Sequence, residues 1–469
     1  MANQDSPAIN LDLIEGGFLK ALQTNLLIVQ ISASVQEPSK PIEVRLLESE
    51  QYKVTSINPV VVKGLDKGPQ RATFIVRPRR LGEVTLNFRV EDNVRTVYTI
   101  SQMENPYIYG EPIRSEHMFF GRVTERSEIL RGVTKANKQN YLITGPRRAG
   151  KTSLLYQIKA RLDFPFVALT VTPESIGHQH HEIFRGLLLR LRDQVLEAVD
   201  KELPRIDWYI ANASAETPID MFNYYFERDL KSALADLSAI SSQARVVLLI
   251  DEATFLLSES SKEGEETHDS RQEFLRHLLQ TFSRVACVLA GTPRLLRMTN
   301  ITSPLYNIFS GIKLRGLSMQ ETEQLIREPA RSVGVDFEGE AVDKIIELGG
   351  CSPYYTQALC ATSLESANED GRQSVLFADV QRATETVLDK LSYGFQSLWE
   401  ALEIEEREIL ARIAKEPVLV DRMNQDVIAR LMDMNLVQKV IRNANTPAEK
   451  TFANIKAKLD EQWLQRLGV

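Results

Sequence analysis

Gly145-Pro146-Arg147-Arg148-Ala149-Gly150-Lys151-Thr152 is the stretch whose reading decides the fold of this chain. It fits G-x-x-x-x-G-K-[ST], the pattern of a phosphate-binding loop. Tyr141-Leu142-Ile143-Thr144 before it is an apolar run of strand length. Ser153-Leu154-Leu155-Tyr156-Gln157-Ile158 after it has the one-sided apolar spacing of a helix. Strand, loop and helix in this order form the setting that the chemistry needs. Glycines at both ends let successive amides turn into one concavity for phosphate oxygens, and the helix N-terminus adds partial positive charge there. Gly145, Pro146, Arg147, Arg148, Ala149, Gly150 and Ser153 then line the phosphates. Lys151 reaches the β- and γ-phosphates, and the Thr152 hydroxyl ligates Mg²⁺.

About a hundred residues on lies Val246-Val247-Leu248-Leu249-Ile250-Asp251-Glu252. An apolar strand that ends in Asp sets a carboxylate at the C-terminal edge of a parallel sheet, beside the loop. Asp251 is placed to hold Mg²⁺, and Glu252 to polarise an attacking water as general base. A third strand end is Cys287-Val288-Leu289-Ala290-Gly291-Thr292-Pro293-Arg294. Thr292 is the polar residue there that can feel a γ-phosphate, which makes Glu252, Lys151 and Thr292 the expected catalytic set. Arg294 and Arg297 are either surface residues or act on a neighbouring subunit's nucleotide. His178-Gln179-His180-His181-Glu182 brings His and Glu to helix spacing, but without a third ligand it reads as a polar helix start.

The bulk numbers set the frame. With 469 residues, 43% apolar and 25% charged, the chain can form several domains with their own cores. A net charge of -7 gives no global attraction to nucleic acid or anionic membranes. Cys287, Cys351 and Cys360 form no disulfide framework and show no metal-ligand spacing. The start Met1-Ala2-Asn3-Gln4-Asp5 lacks the basic and apolar parts of a signal peptide. No apolar run approaches the ~18 residues of a membrane span. The expectation is a cytoplasmic protein with no membrane partner.

The order of patterns predicts a multidomain chain. Residues 1–103 read as an all-β, immunoglobulin-like sandwich. Its β-rich runs lie around Val35, Val44-Arg45-Leu46, Thr73-Phe74-Ile75-Val76, Val84-Thr85-Leu86-Asn87-Phe88 and Val94-Arg95-Thr96-Val97-Tyr98. Residues 104–316 alternate strand and helix, an α/β P-loop NTPase core. Within it the acidic stretch 258–267 reads as a mobile loop. Residues 317–393 read as helical throughout, a lid. Residues 394–469 read as a winged-helix domain. In it Leu398-Trp399 and Ile409-Leu410 share one helix, Val427–Leu431 forms a second, and two strands meet across the turn at 443–447.

Together these residues resemble the STAND class of signal-transduction P-loop ATPases, in the AAA+-like branch. The similarity runs from about Asn105 to the C-terminus. It is carried by Asn105-Pro106-Tyr107, Phe119-Phe120-Gly121-Arg122 with Glu125, the phosphate loop, Leu249-Ile250-Asp251-Glu252, Gly291-Thr292 and Gly349-Gly350-Cys351-Ser352-Pro353-Tyr354-Tyr355. The resemblance implies ATP/ADP as ligand, with Phe120, Gly121 and Arg122 near the adenine and Pro353 opening a lid helix that touches the nucleotide. It also implies a switch: ATP binding and hydrolysis change the angle between core, lid and winged helix and release an oligomerisation surface. A homo-oligomer in the ATP state, a separately encoded sensor or effector, and by analogy a role in bacterial conflict or defence belong to the same implication. The chain departs from the class in two places. Cys351 stands where the second lid glycine is expected, and none of the six histidines lies in residues 394–469.

Two other readings stay open. One is a DNA-associated AAA+ ATPase of origin-recognition or transposition type, which needs a basic winged helix. Residues 400–469 carry 11 basic and 12 acidic side chains, which argues against it. The other is a nucleotide-stabilised scaffold, which the intact Asp251 and Glu252 disfavour.

Overall fold

Strict alternation shapes the first hundred residues. The computed structural model describes residues 9–467 except 16–17, 34–40, 64, 92, 173–179, 200–208, 215, 258–267, 300 and 443–449. Among the described residues the first strands are β1 (Ile9–Glu15), β2 (Phe18–Lys20), β3 (Asn25–Ala33), β4 (Ile42–Leu46), β5 (Tyr52–Val54), β6 (Val60–Val62), β7 (Gln70–Pro78), β8 (Gly82–Val90) and β9 (Asn93–Gln102). They form two sheets, ordered β1-β3-β7-β5 and β2-β9-β8-β4-β6. Every second residue of β4, β7 and β8 is buried, as a pleated strand with one face inward requires. Val44, Leu46, Phe74, Val76, Leu86 and Phe88 thereby join one core cluster fed by both sheets. The run expected around Val35 lies outside the described residues.

The next segment carries α1 (Val123–Thr134), β10 (Asn140–Thr144), α2 (Lys151–Lys159), β11 (Phe166–Val171), α3 (His180–Val199), α4 (Ile219–Ile240), β12 (Arg245–Ile250), α5 (Ala253–Leu257), α6 (His268–Thr281), β13 (Val285–Gly291), α7 (Arg294–Met298) and β14 (Phe309–Lys313). The five strands are all parallel, in the order β11-β12-β13-β10-β14. The central runs β12 and β13 are almost continuously apolar because helices cover both faces, whereas the edge strand β14 is mixed. Tyr141, Ile143, Val247 and Leu249 pack with Ile129, Val133, Leu154 and Ile158 of α1 and α2. Leu142, Val246, Leu248 and Ile250 pack with Phe184, Phe226, Leu275 and Leu278 of α3, α4 and α6. Each such side chain, fully buried, contributes ~1.5–3 kcal/mol. This is the α/β core that the apolar runs predict. The acidic stretch 258–267 lies outside the described residues.

Then come α8 (Met319–Ser332), β15 (Asp336–Phe337), α9 (Gly339–Gly349), α10 (Pro353–Glu369), β16 (Ser374–Val375) and α11 (Phe377–Ala401). The expectation of unbroken helix across 317–393 needs correction. β15 and β16 pair in parallel, Phe337 opposite Val375, and both side chains are fully buried. Two-residue strands are too short to leave a periodic signal between the flanking helices.

The chain closes with α12 (Ile404–Lys415), β17 (Val418–Leu419), α13 (Gln425–Asp433), β18 (Val437–Arg442), β19 (Lys450–Ile455) and α14 (Lys458–Arg466), with a three-stranded antiparallel sheet ordered β17-β19-β18. Leu398-Trp399 and Ile409-Leu410 do not share one helix: the first pair ends α11 and the second lies in α12. Glu403 is extended between them, at φ -68° and ψ 159°, and the Glu406 carboxylate accepts its N–H at 3.0 Å. That is the returning half of a capping box, which starts a new helix. A Glu in place of the usual Ser or Thr hid the signal. The turn expected at 443–447 lies outside the described residues.

By its internal contacts the chain divides into two units. One comprises Met1–Tyr107, Ile326–Ile345 and Gln357–Lys390; the other comprises Ile108–Leu325, Ile346–Thr356 and Leu391–Val469. In the first, the Met103 N–H donates to Asn368 Oδ1 at 2.9 Å, and Asn368 Nδ2 donates back to the Met103 carbonyl at 3.1 Å. Asn105 Nδ2 reaches the Ala361 carbonyl at 3.1 Å, and the buried Tyr107 hydroxyl donates to the Ile326 carbonyl. The Pro/Gly-punctuated segment after β9 is therefore held by α8 and α10.

Candidate functional site

The sheet register assembles the site. Thr144 pairs with Gly291, and Ile250 pairs with Leu289. The residues that follow (Gly145, Thr292 and Asp251) therefore leave the C-terminal edge of three adjacent strands, where open parallel sheets bind ligands. Gly145 is required by space: a Cβ there would meet the Leu314 carbonyl oxygen at 2.7 Å. Gly150 caps α2 from the left-handed region at φ 89°, a conformation that glycine takes without penalty.

Lys151 is buried, and its Nζ donates to the carbonyls of Gly145 at 3.0 Å and Pro146 at 2.7 Å. Burial lowers its pKa; Glu252 and Asp251 act in the opposite direction. The Thr152 hydroxyl donates to Asp251 Oδ2 at 2.5 Å, across 99 positions of sequence. The Asp251 N–H donates to the Val171 carbonyl at 2.8 Å, and Asp251 Oδ1 accepts the Glu252 N–H at 2.9 Å. A hydroxyl and a carboxylate side by side are hard oxygen donors and fit a divalent Mg²⁺. Glu252 sits at φ 45°, a conformation uncommon for a side-chain-bearing residue and typical of functional sites. Thr292 is half-buried, and its carbonyl accepts the Leu295 N–H at 2.9 Å, which opens α7. Arg294 is exposed on α7, and the Arg297 side chain lies outside the description.

Arg122 is buried and begins α1 at φ 60°. Its Nη2 donates to the Arg315 carbonyl and lies 3.5 Å from the Ala149 carbonyl of the loop; its Nη1 lies 3.4 Å from Glu125 Oε1. Burial pulls its pKa down, and Glu125 opposes that. Phe120 and Gly121 are half-buried beside it. The structure thus places the Arg122 side chain of the Phe-Gly-Arg stretch against the phosphate loop.

Pro353 opens α10, as the sequence predicts. Its neighbour Tyr354 carries the Arg148 guanidinium 3.9 Å above its ring. Cys351, at φ 59°, takes the left-handed conformation that a glycine would take. The position with no room for a side chain is Gly350, where a Cβ would lie 2.8 Å from the Lys456 carbonyl oxygen. The Cys departure therefore leaves this approach intact.

Six residues here have no role in the motifs of the sequence: Tyr354, Lys313, Gly316, Asp433, Asn435 and Lys456. Tyr354 was quoted without one; its signal is an aromatic directly after a helix-opening Pro. Asp433 pairs with Lys313 at 3.1 Å, and Asn435 Oδ1 accepts from the Gly316 N–H at 3.2 Å and from Lys456 Nζ at 2.5 Å. These contacts bring the end of α13 and the end of β19 to the end of β14. Nothing local announces a contact over 119 positions.

His180 corrects another expectation. It begins α3 as expected but is buried rather than solvated, its ring packed with Phe184, Phe222 and Phe274 and its Nε2 2.7 Å from Asn223 Oδ1. Burial pushes its pKa down to about 4. Among the described residues no group of three His, Cys, Asp or Glu could hold a metal. A cavity of about 340 Å³ lined by Leu130, Arg161 and Phe166 opens at the N-terminal edge of the sheet, away from the loop.

Asp460 of α14 is buried and accepts the Tyr355 hydroxyl at 2.8 Å. Desolvation pushes its carboxyl up to about 7, with Tyr355 offsetting only part. The folded chain therefore holds this proton more tightly than the unfolded chain. The stability it confers is present below about pH 4 and is lost as pH rises through about 7. Relative to Asp460→Asn, the wild-type chain should lose on the order of 4 kcal/mol between about pH 4 and about pH 8. Unfolding free energies of both chains across that range read this difference. A flat difference would show a normally titrating carboxyl.

A family model described as Novel STAND NTPase 1 matches residues 113–459. Among solved structures, the chain is similar to the Aeropyrum pernix ORC2 protein (ADPNP-ADP complexes), with 14% identity and TM-score 0.45 over 78% of this chain and 97% of that one. It is similar to the Aeropyrum pernix ORC1 protein in complex with DNA, with 12% identity and TM-score 0.39 over 74% and 93%. It is also similar to the Thermotoga maritima RuvB Holliday junction branch migration motor, with 16% identity and TM-score 0.37 over 72% and 94%. No curated protein sequence matches the chain. Among the described residues no helix is long and apolar enough to cross a membrane.

Proposed function

The chain belongs to the Novel STAND NTPase 1 family, and from that premise we propose that it is an ATP-binding and ATP-hydrolysing switch whose nucleotide state controls its assembly. The observation that carries this reading is the Thr152–Asp251 contact at 2.5 Å, which joins the phosphate loop to the end of β12. In this reading ATP lays its phosphates on the loop, and Lys151 exchanges two loop carbonyls for β- and γ-phosphate oxygens. Mg²⁺ held by Thr152 and Asp251 would neutralise phosphate charge. Glu252 takes a proton from the attacking water, and Thr292 contacts the γ-phosphate from the next strand. Phe120, Gly121, Arg122 and Pro353 border the nucleoside.

The strand orders of the N-terminal sheets support an immunoglobulin-like module there; a separately encoded sensor or effector as its partner is part of the proposal and rests on the family reading. The succession α12, β17, α13, β18, β19, α14 supports a winged helix. A DNA-associated ATPase is the alternative, but α13 speaks against it. Arg430 lies 2.7 Å from Glu406 Oε1 and 3.7 Å from Glu403, and Asp433 is paired with Lys313. A recognition helix needs such cations free for phosphate and bases.

ATP differs from ADP by the γ-phosphate, so only contacts that reach it can shift a conformational equilibrium. Moving from 1:99 to 99:1 takes about 5.5 kcal/mol. Charge-assisted contacts from Lys151, Mg²⁺ on Asp251, and Thr292, at ~1.5–3 kcal/mol each, suffice. Glu252→Gln with ATP should therefore form a larger oligomer than the same chain with ADP. Light-scattering mass and small-angle scattering check this. Identical mass and scattering in both nucleotides, with the native partner present, would favour the scaffold reading.

A further inference from the structure

Arg148 is the loop side chain that reaches toward the last helix. It is exposed, sits at φ 63°, and stacks on Tyr354 at 3.9 Å. From Tyr354 a row of rings continues: Tyr355 at 5.8 Å, then Phe395 at 5.5 Å, then Trp463 of α14 at 5.5 Å. Tyr355 is also tied to α14 through Asp460 at 2.8 Å. The phosphate loop and α14 are thus joined by packed rings along a route that does not pass through the nucleotide.

We propose that Arg148 is a positioning residue that exchanges between the Tyr354 ring and the phosphate oxygens of a bound nucleoside triphosphate, and so reports loop occupancy to α14. The proposal rests on the nucleotide reading above and names its internal relay. Arginine keeps its charge in either position, and its planar fork suits both an aromatic face and a phosphate. Charge-assisted bidentate bonds to phosphate are stronger than a cation–π contact on a half-exposed ring, so phosphate wins the exchange. Lys151 has no such choice of ring, being buried and folded onto Gly145 and Pro146. Rings in van der Waals contact shift together, so releasing Tyr354 repositions Tyr355, Phe395 and Trp463.

Trp463 is itself the reporter. The full chain carries three tryptophans, so Trp208→Phe with Trp399→Phe leaves Trp463 as the sole indole. ATP is added to this parent, and occupancy is followed separately with a fluorescent ATP analogue. The expected result is an ATP-dependent change in Trp463 emission in the parent. In Arg148→Ala and in Tyr354→Ala, each read at a nucleotide concentration that saturates it, the change is lost. Tyr354→Phe, which keeps the ring, restores it. A parent that binds the analogue with unchanged Trp463 emission overturns the relay, and so does a full emission change in Arg148→Ala. A loss in Tyr354→Phe equal to that in Tyr354→Ala overturns the ring exchange. A parent that binds no analogue overturns the nucleotide reading itself, and the relay falls with it.

Discussion

Replacing Lys151 by alanine is expected to abolish ATP binding while the fold survives. In the proposed reading this side chain carries the ammonium that meets the β- and γ-phosphates. Two charge-assisted bonds at ~1.5–3 kcal/mol each amount to a loss of roughly 10²–10⁴ in affinity. The fold has little to lose. Among the described residues Lys151 Nζ bonds the carbonyls of Gly145 and Pro146, both in the loop, and the apolar contacts of α2 come from Leu154, Leu155 and Ile158. Removing a desolvated charge also removes its own burial penalty, visible in the lowered pKa. A nucleotide titration beside circular dichroism reads both halves of this expectation. Unchanged affinity in Lys151→Ala would refute the assignment of the site.

Glu252→Gln is expected to keep ATP affinity and lose roughly 10²–10⁴-fold in turnover, the usual weight of a general base. That corresponds to about 2.7–5.5 kcal/mol on the barrier. Gln keeps the shape and the N–H that Asp251 Oδ1 accepts at 2.9 Å, so the backbone at φ 45° has no new reason to relax. Affinity should be retained because the proposal assigns the binding to the loop and Lys151, and because removing one carboxylate near a triphosphate would weaken a repulsion. Burial lowers the Lys151 pKa and the Glu252 carboxylate opposes this, so the variant should titrate Lys151 lower still. Phosphate release measured beside a binding titration separates the two effects. Wild-type turnover in the variant would move the base to another residue.

What could be read in the sequence is what is written within a few residues. The phosphate loop was legible because its chemistry spans eight consecutive positions and its strand and helix adjoin it. Asp251 was legible because a both-faces-buried strand is a run of apolar residues, and the first polar residue after it marks the sheet edge. Pro353 was legible because a Pro suits a first helical turn. The misreadings arose where a local cue was weak. The Glu403–Glu406 cap lacked Ser or Thr, β15 and β16 span two residues each, and His180 was read by its polarity although its neighbours in space are three phenylalanines.

By itself, then, the sequence determined the parallel α/β core, the loop that can cradle phosphates and the acidic strand end that can serve it. Only the tertiary structure decided that β10 lies between β13 and β14, which sets Gly145 beside Thr292 and brings Thr152 to Asp251. It also decided that Arg122 turns onto Ala149, that Arg148 meets Tyr354, and that Asn435 and Lys456 reach the end of β14. The reason is physical. Periodicity tells which face of an element is buried, but not which element covers it. That choice is made by packing between segments a hundred or more residues apart, and no short stretch of chain records it.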